Sequence, residues 1–192
     1  MAAQIAKPSD TIKRAAARKG FVQASVWLSI VAATVFAGMA RAAGTDPVGT
    51  ATGLPIPRYV SLKSDRVNLR EGPSKDHRTA WVFQRAGLPV EVTAEFENWR
   101  KIRDSEGSEG WVLQSLLSGR RTALVAPWKK GEIFPLYAKP ADGSNQVARL
   151  QPGVLGSVRH CEGGWCRMTG EGYDGFIKQS ILWGVYPNEK ID

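Results

Sequence analysis

An internal repeat of about 66 residues constrains the fold of this chain more than any other feature. Four segments recur in the same order, and the spacing between the two occurrences stays between 65 and 67 residues. The pairs are Leu69–Pro73 with Leu136–Pro140, Gly87–Val92 with Gly153–Val158, Glu97–Arg100 with Gly163–Cys166, and Glu109–Gln114 with Asp174–Gln179. Chance similarity would not keep the spacing so constant, so the sequence predicts two copies of one unit, at residues 58–122 and 123–187.

Each copy has the residue pattern of short β-strands. Residues 90–95 alternate between apolar and polar side chains, which is the period of a half-buried strand. Gly, Pro and Asn separate such segments, and only Gln114–Leu117 and Gln179–Leu182 are typical of single 3₁₀ turns. An immunoglobulin-like sandwich needs roughly 100 residues, so the copies are too short for it. The predicted fold class is all-β, with two tandem small barrels after an N-terminal signal or anchor helix.

The two copies are expected to pack against each other. A barrel of about 65 residues has a marginal core on its own. The junction Thr122–Val125 is apolar and favours β-structure, unlike a flexible Gly/Ser linker. Six of the seven Trp residues follow the N-terminal segment, and each can bury a large apolar surface.

Residues 1–42 have the features of a targeting segment. A basic stretch is followed by Phe21–Met39, which contains no charged residue, and then by the small-x-small triplet Ala40-Arg41-Ala42. This order predicts a signal peptide cleaved after Ala42. An uncleaved anchor over residues 21–39 is the alternative, because that length nearly spans a bilayer. Both alternatives place the body in the periplasm. Residues 43–57 are interpreted as a flexible lead-in and residues 188–192 as a tail.

The positive charge of the chain does not indicate a nucleic-acid partner. The formal net charge is +8, but six of the basic residues and only one acid lie within residues 1–42. The remaining 150 residues carry 20 basic and 17 acidic side chains, a net charge of only +3. Nucleic-acid binding needs a concentrated basic surface, so this partner is not predicted. A membrane contact is expected only through the N-terminal segment, if it is uncleaved.

Two cysteines are predicted to form a structural disulfide. Cys161 and Cys166 correspond, at a spacing of 66 residues, to Glu95 and Arg100 in the first copy. An opposite-charge pair and a cysteine pair are what directly opposed cross-strand positions would carry. Opposed Cα atoms lie within disulfide reach, and the periplasm is oxidising. Free thiols, a metal site or a redox-active pair remain as alternatives.

No catalytic motif is recognisable in the sequence. His77 and His160 lie in no metal-ligand pattern, and no nucleotide-binding glycine loop precedes a helix. Asp104, Glu106 and Glu109 lie in a short Gly/Ser turn without the apolar surroundings of a catalytic acid, so they are interpreted as a solvated loop. The sequence therefore predicts no enzyme activity, no metal and no cofactor.

Several motifs resemble one family across residues 58–187. They are Val67–Ser74, Trp81-Val82, Gly87–Val90, Asn98–Ile102, Gly110–Val112 and Trp183–Tyr186. The chain resembles the bacterial Src-homology-3-like domain family, in the tandem-copy type of exported alphaproteobacterial proteins. The second copy departs from the pattern, since Leu136–Pro140 lacks the Asn, Arg and Gly of the first copy and Phe176 replaces a Trp.

The resemblance implies barrels of five to six strands that bind cell-wall peptides or protein segments. Its ligand groove would lie between the loop Asn68–Arg78 and the hairpin turn Glu97-Asn98. Arg70, Glu71 and Trp99 are the predicted ligand-binding residues, with Trp81 behind them, whereas Trp111 is expected in the core. The predicted function is a non-enzymatic cell-envelope module that recognises peptidoglycan or its stem peptides. The alternative is a periplasmic protein-interaction or scaffold module without wall binding.

Overall fold

The computed structural model describes residues 47–192, which form two antiparallel sheets of seven strands each. The predicted all-β fold class with tandem barrels is confirmed. The targeting segment at residues 1–42 lies outside the described residues. The first barrel contains β1 (Arg58–Leu62), β2 (Val67–Arg70), β3 (Thr79–Phe83), β4 (Pro89–Phe96), β5 (Trp99–Arg103), β6 (Glu109–Leu113) and β7 (Leu117–Ser118). The second contains β8 (Thr122–Val125), β9 (Phe134–Tyr137), β10 (Gln146–Leu150), β11 (Leu155–Glu162), β12 (Trp165–Gly170), β13 (Tyr173–Lys178) and β14 (Leu182–Trp183).

The two sheets have the same strand order, as a repeat requires. The first runs β3-β2-β6-β5-β4-β1-β7 and the second β10-β9-β13-β12-β11-β8-β14. The predicted 3₁₀ turns are present at Gln114–Leu116 and Gln179–Ile181. Within residues 47–192, no helix is long and apolar enough to cross a membrane. Equivalent residues of the two copies therefore occupy equivalent places in the barrels.

Each barrel buries its own apolar core. The inward positions of β2 and β4 are the alternate residues that the sequence pattern marks, such as Val67 and Val92, which are fully buried. The first core comprises Leu62, Val67, Leu69, Phe83, Val90, Val92, Ile102 and Val112. The second is built around Leu136, Val158, Cys161, Cys166, Met168 and Ile177.

The expectation that Trp111 lies in the core is wrong. Trp111 is only half-buried, because Gly110 and Val112 take the inward positions of β6. A Cβ atom on Gly110 would lie 2.8 Å from the carbonyl oxygen of Arg70 and 2.6 Å from the Leu69 side chain. The glycine of this motif therefore allows β6 to approach β2, and the aromatic residue after it faces outward.

The disulfide predicted from the repeat is present. Cys161 and Cys166 are directly opposed on β11 and β12, with Cα atoms 4.1 Å apart, and they form a disulfide. Glu95 and Arg100 are opposed in the same way on β4 and β5. One copy therefore closes this hairpin covalently and the other closes it with an ion pair. Since the closed loop is short, the disulfide contributes only about 2 kcal/mol in the chain-entropy account.

Residues 47–57 do not form the flexible lead-in that their composition suggests. They form a turn, closed by a bridge between Val48 and Pro55, that covers the Glu95 side chain. Glu95 accepts hydrogen bonds from the backbone N–H groups of Ala51 and Thr52 at 3.0 and 2.9 Å, and from the Thr52 hydroxyl at 2.7 Å. The segment has no apolar period that would bury it in a core. It is ordered instead because its polar groups bind the Glu95 carboxylate, 43 residues after Thr52 in the sequence.

Glu95 also pairs with two arginines of the first barrel. Arg58 Nη2 lies 2.6 Å and Arg100 Nε 3.4 Å from Glu95 Oε1, and the carboxylate is fully buried. Burial alone would raise the pKa of Glu95. The hydrogen bonds from Thr52, Arg58 and the backbone of Ala51 outweigh burial and lower this pKa from 4.5 to about 2. The fold therefore requires the ionised form.

The depressed pKa of Glu95 predicts a loss of stability in acid. The folded state holds the carboxylate ionised, so its contribution is complete above about pH 5 and is lost as the pH falls toward 2. The free energy of unfolding should fall by about 3 kcal/mol more in the wild type than in Glu95→Gln across this range. Urea titrations at successive pH values measure the difference. Parallel curves for the two proteins would contradict the prediction.

The two barrels pack directly against each other, as the apolar junction predicts. Trp183 Nε1 donates to the Pro89 carbonyl at 3.1 Å, and the Thr122 hydroxyl donates to the Gly87 carbonyl at 2.6 Å. The Trp183 ring also meets Tyr59 of the first barrel edge to face at 5.2 Å. Each of these contacts joins a strand or turn of one copy to the other, so residues 58–192 form a single packed body.

A carboxylate of the first barrel is buried at this interface. Glu91 accepts a hydrogen bond from the Tyr186 hydroxyl at 2.9 Å and pairs with Arg103 through both guanidinium Nε and Nη2. Burial and the bond to Glu91 raise the pKa of Tyr186. The expected tail also packs on the second barrel, since Ile191 forms a bridge with Cys161 and Glu189 pairs with Arg121.

Candidate functional site

A basic groove lies on the first barrel, where the structure places two of the predicted ligand-binding residues. Arg70 and Trp99 line it together, and its volume is about 270 Å³. Three of its lining side chains are cationic and none is anionic. The groove is defined by Arg66, Asn68, Arg70, Lys75, Trp99, Leu113 and Leu116.

Arg70 is held in place by the loop that follows its strand. Its Nη1 atom donates to the carbonyl oxygens of Lys75 and His77 at 2.9 and 2.7 Å. Within the described residues, Arg70 Nε and Nη2 have no protein acceptor. The guanidinium is therefore fixed in position by one nitrogen and can offer the other two to an anionic ligand.

Trp99 forms one wall of the groove and is mostly buried. It lies at the start of β5, opposite Leu113 of β6, and only 7% of it is exposed. A buried aromatic of this kind provides a rigid apolar surface at the edge of the groove. Its removal would disturb the barrel as well as the groove.

Two groove residues were not among the predicted ligand-binding residues, although the sequence carries a signal for them. Val67 and Leu69 are buried, so Arg66, Asn68 and Arg70 face outward on the same side of β2. The loop predicted at Asn68–Arg78 begins only after Arg70, because Asn68 lies in β2 and pairs with Val82. The period of two along Arg66–Arg70 could have identified this row.

Lys75 was also missed, and no local pattern marks it. It lies in the loop between β2 and β3 and lines the groove, and its carbonyl oxygen accepts a hydrogen bond from Arg70. Its place depends on how that loop folds back over the strand.

Glu71 lies outside the basic groove. Its carboxylate accepts a hydrogen bond from Arg78, and both side chains are substantially exposed. The hydrogen bond from Arg78 lowers the pKa of Glu71. The pair closes the base of the loop, beside the backbone bond from Glu71 N–H to the Arg78 carbonyl. Glu71 thus follows the groove residue Arg70 in the sequence but does not line the basic groove.

Trp81 lines a different and larger groove. It is 61% exposed and belongs to the inter-barrel groove, a cleft of about 930 Å³ with walls from both copies. The structure does not bring Trp81 and Trp99 together. The inter-barrel groove is defined by residues 81–85 and 88–90, the turn residues Asp104, Ser105, Glu106 and Ser108, and Leu124, Pro127, Lys129, Pro152 and Gly153.

The second barrel fills the position of the basic groove with its own side chains. Tyr137 occupies the place of Arg70 and Trp165 that of Trp99, and their rings meet edge to face at 5.6 Å. Lys178 Nζ lies 5.0 Å from the Trp165 ring centre and 2.7 Å from an Asp142 carboxylate oxygen. The second copy lacks the Arg of the first copy at this position, and an aromatic contact takes the place of the cationic groove.

No metal centre can be assembled from the described residues, since residues 47–192 contain no group of three or more His, Cys, Asp or Glu side chains that could hold an ion. His160 lies 3.8 Å from Glu162 and 3.7 Å from Asp192, but all three side chains are widely exposed. Both cysteines are in the disulfide. The basic groove contains only cationic, amide, aromatic and aliphatic side chains.

Comparison with protein-family models agrees with the tandem fold. The model of the bacterial SH3 domain matches the chain twice, at residues 63–119 and 130–184. The chain belongs to the bacterial SH3 domain family. The two matched segments correspond to the two barrels, and the basic groove lies in the first SH3 domain. Comparison with curated protein sequences finds no significant match.

Comparison with solved structures finds similar chains at low sequence identity. NlpC2 and NlpC1 from Trichomonas vaginalis are each 13% identical to this chain over 66% and 70% of its length, with TM-scores of 0.31. This chain spans 48% of the length of each of them. The structure "Endolysin LysPBC5 CBD" is 19% identical over 72% of this chain and 96% of its own, with a TM-score of 0.27.

Proposed function

We propose that this protein is a non-enzymatic binding module of the bacterial cell envelope that recognises peptidoglycan through the carboxylates of its stem peptides. The basic groove of the first SH3 domain carries the proposal, because it has three cationic side chains and no acidic one. The proposed location is the periplasm, either after cleavage at Ala42 or on an anchor over residues 21–39.

The geometry of the groove suits a carboxylate next to an apolar group. Arg70 presents two free guanidinium nitrogens, and an arginine can bind a carboxylate with two parallel hydrogen bonds. Arg66 and Lys75 are exposed and add positive charge to the same groove. Trp99 provides a flat apolar wall for the aliphatic part of a peptide or for a sugar ring.

Co-sedimentation of the full-length protein with purified sacculi tests this proposal. The wild type should pellet, and the charge-reversal variant Arg66→Glu/Lys75→Glu should bind at least about tenfold more weakly, because it loses charge-assisted contacts. Both residues are exposed, so the variant should fold. Trp99→Ala is a poor choice, since removing a buried aromatic also costs about 3–5 kcal/mol of stability.

A matched control separates groove binding from general attraction to an anionic polymer. Lys130→Glu/Lys139→Glu changes the net charge equally, at exposed positions on the second barrel. It should bind as the wild type does. Sacculi whose carboxylates have been amidated should no longer retain the wild type. Equal loss in both double variants, or undiminished binding to amidated sacculi, would contradict the groove assignment. A wild type that stays in solution would leave the periplasmic protein-interaction function as the remaining candidate.

A further inference from the structure

We infer that the inter-barrel groove is a second binding site, which takes an extended polypeptide segment of a partner protein by adding it as a strand to β3. This site is separate from the basic groove and does not depend on wall binding. Its residues come from both SH3 domains, so only the tandem arrangement forms it.

The first argument is that the backbone of β3 faces the groove. Five consecutive residues line it, namely Trp81–Phe83 at the end of β3 and the next two residues of the chain, Gln84 and Arg85. Side chains alternate between the two sides of a strand, so consecutive residues share a groove when the edge of the strand faces it. β3 is the outermost strand of the first sheet, and no strand among residues 47–192 pairs with its outer edge. Such an edge has unpaired N–H and C=O groups that an extended peptide can bind.

The second argument is that the second barrel builds the opposite wall with a longer loop. The β1–β2 loop of the first barrel has four residues, 63–66, whereas the equivalent β8–β9 loop has eight, 126–133. Pro127 and Lys129 of this longer loop line the groove, together with Pro152 and Gly153. A volume of about 930 Å³ lies within the roughly 300–1,000 Å³ range of ligand sites. The extra residues of the second copy therefore turn an open strand edge into a walled groove.

The side chains of the groove favour a peptide of mixed charge. Leu88 and Leu124 give it an apolar floor, and Trp81 lies largely exposed in its lining. Glu106 is exposed and forms no ion pair within the described residues, while the Arg85 guanidinium makes only a 3.5 Å contact with the Gly153 carbonyl. The complementary segment has alternating apolar residues, with a basic side chain near Glu106 and an acidic one near Arg85.

Selection from a library of random linear octapeptides on the full-length protein tests the inference. Enriched peptides, synthesised with L-residues, should bind the wild type. They should bind Trp81→Ala at least about tenfold more weakly, because removing a central aromatic contact costs that much affinity. Trp128→Ala is the matched control, because Trp128 is 53% exposed but does not line the groove. It should bind as the wild type does. Methylation of one of the two alternate sets of backbone nitrogens in the peptide should abolish binding, since strand addition uses the N–H groups on one side of the peptide.

Several results would overturn the inference. One is a library that yields no peptide distinguishing the wild type from Trp81→Ala. Another is binding that survives backbone methylation in both alternate patterns. Binding of a chitin tetrasaccharide that is lost in Trp81→Ala would assign the groove to a glycan instead. Because Trp81 is largely exposed, equal urea midpoints should show that the variant is folded. Trp81→Ala should bind sacculi as the wild type does. The test of peptide binding at the inter-barrel groove is therefore independent of the test of sacculus binding at the basic groove.

Discussion

Replacing Glu95 with alanine should lower the free energy of unfolding of the first barrel by about 3–5 kcal/mol. The substitution leaves the Arg100 guanidinium, whose side chain is only 2% exposed, without its carboxylate. It also removes the acceptor for Ala51, Thr52 and Arg58. The loss is large because a buried charge without its partner keeps its full desolvation cost.

Urea denaturation followed by circular dichroism measures this loss. Residues 47–57 should also become sensitive to limited proteolysis before the barrel unfolds, since their turn is held by Glu95. The double variant Glu95→Cys/Arg100→Cys provides the control. It removes both charges and places two cysteines where the second barrel carries its disulfide. It should lose less stability than Glu95→Ala, and a double variant that is less stable would contradict the buried-charge explanation.

Replacing Gly184 with alanine should destabilise the packed barrels by about 3 kcal/mol or more. Gly184 has a φ of 115°, and a Cβ atom there would lie 2.3 Å from the Thr122 carbonyl oxygen and 3.0 Å from Pro89 Cβ. The first of these contacts lies within the second barrel, on β8, and the second reaches Pro89 of the first barrel. The added methyl group must therefore displace the end of β14 from both β8 and the first barrel. The contact of Trp183 with the Pro89 carbonyl should be lost with it.

Gly172→Ala is the matched control for Gly184→Ala. Gly172 also has a positive φ, 76°, but nothing lies within 4 Å of its added Cβ. It should therefore show only the backbone strain, about 1–2 kcal/mol. Denaturation midpoints distinguish the two variants. Equal destabilisation would mean that the close contacts of Gly184 with Thr122 and Pro89 contribute nothing.

The match between Glu95–Arg100 and Cys161–Cys166 shows how far the sequence could be used for prediction. A constant repeat spacing aligned the two hairpins, and the chemistry of each pair indicated directly opposed positions. The alternation of apolar and polar side chains also predicted the strands, because a strand with one buried face shows this alternation within a few residues of the sequence. The same period along Arg66–Arg70 could have predicted the outward row that lines the basic groove.

For residues 47–57, by contrast, the flexible lead-in predicted from composition is wrong. A segment rich in Gly, Pro and Thr without an apolar period is usually flexible, and the sequence around it contains no partner for its polar groups. Its partner is Glu95, which comes next to it only after β4 has been placed beside β1. A pattern read along the chain cannot detect a hydrogen-bond acceptor supplied from a distant strand.

The two copies, their β-character, the disulfide positions and the departure of the second copy from the motif pattern could all be predicted from the order of residues along the chain. The folded arrangement was needed to show that Trp99 and Trp81 line two different grooves and that Glu71 lines neither. It was also needed to place the longer β8–β9 loop opposite the β3 edge. Strand patterns depend on neighbours within a few residues, whereas a groove depends on which distant surfaces the packing of two barrels brings face to face.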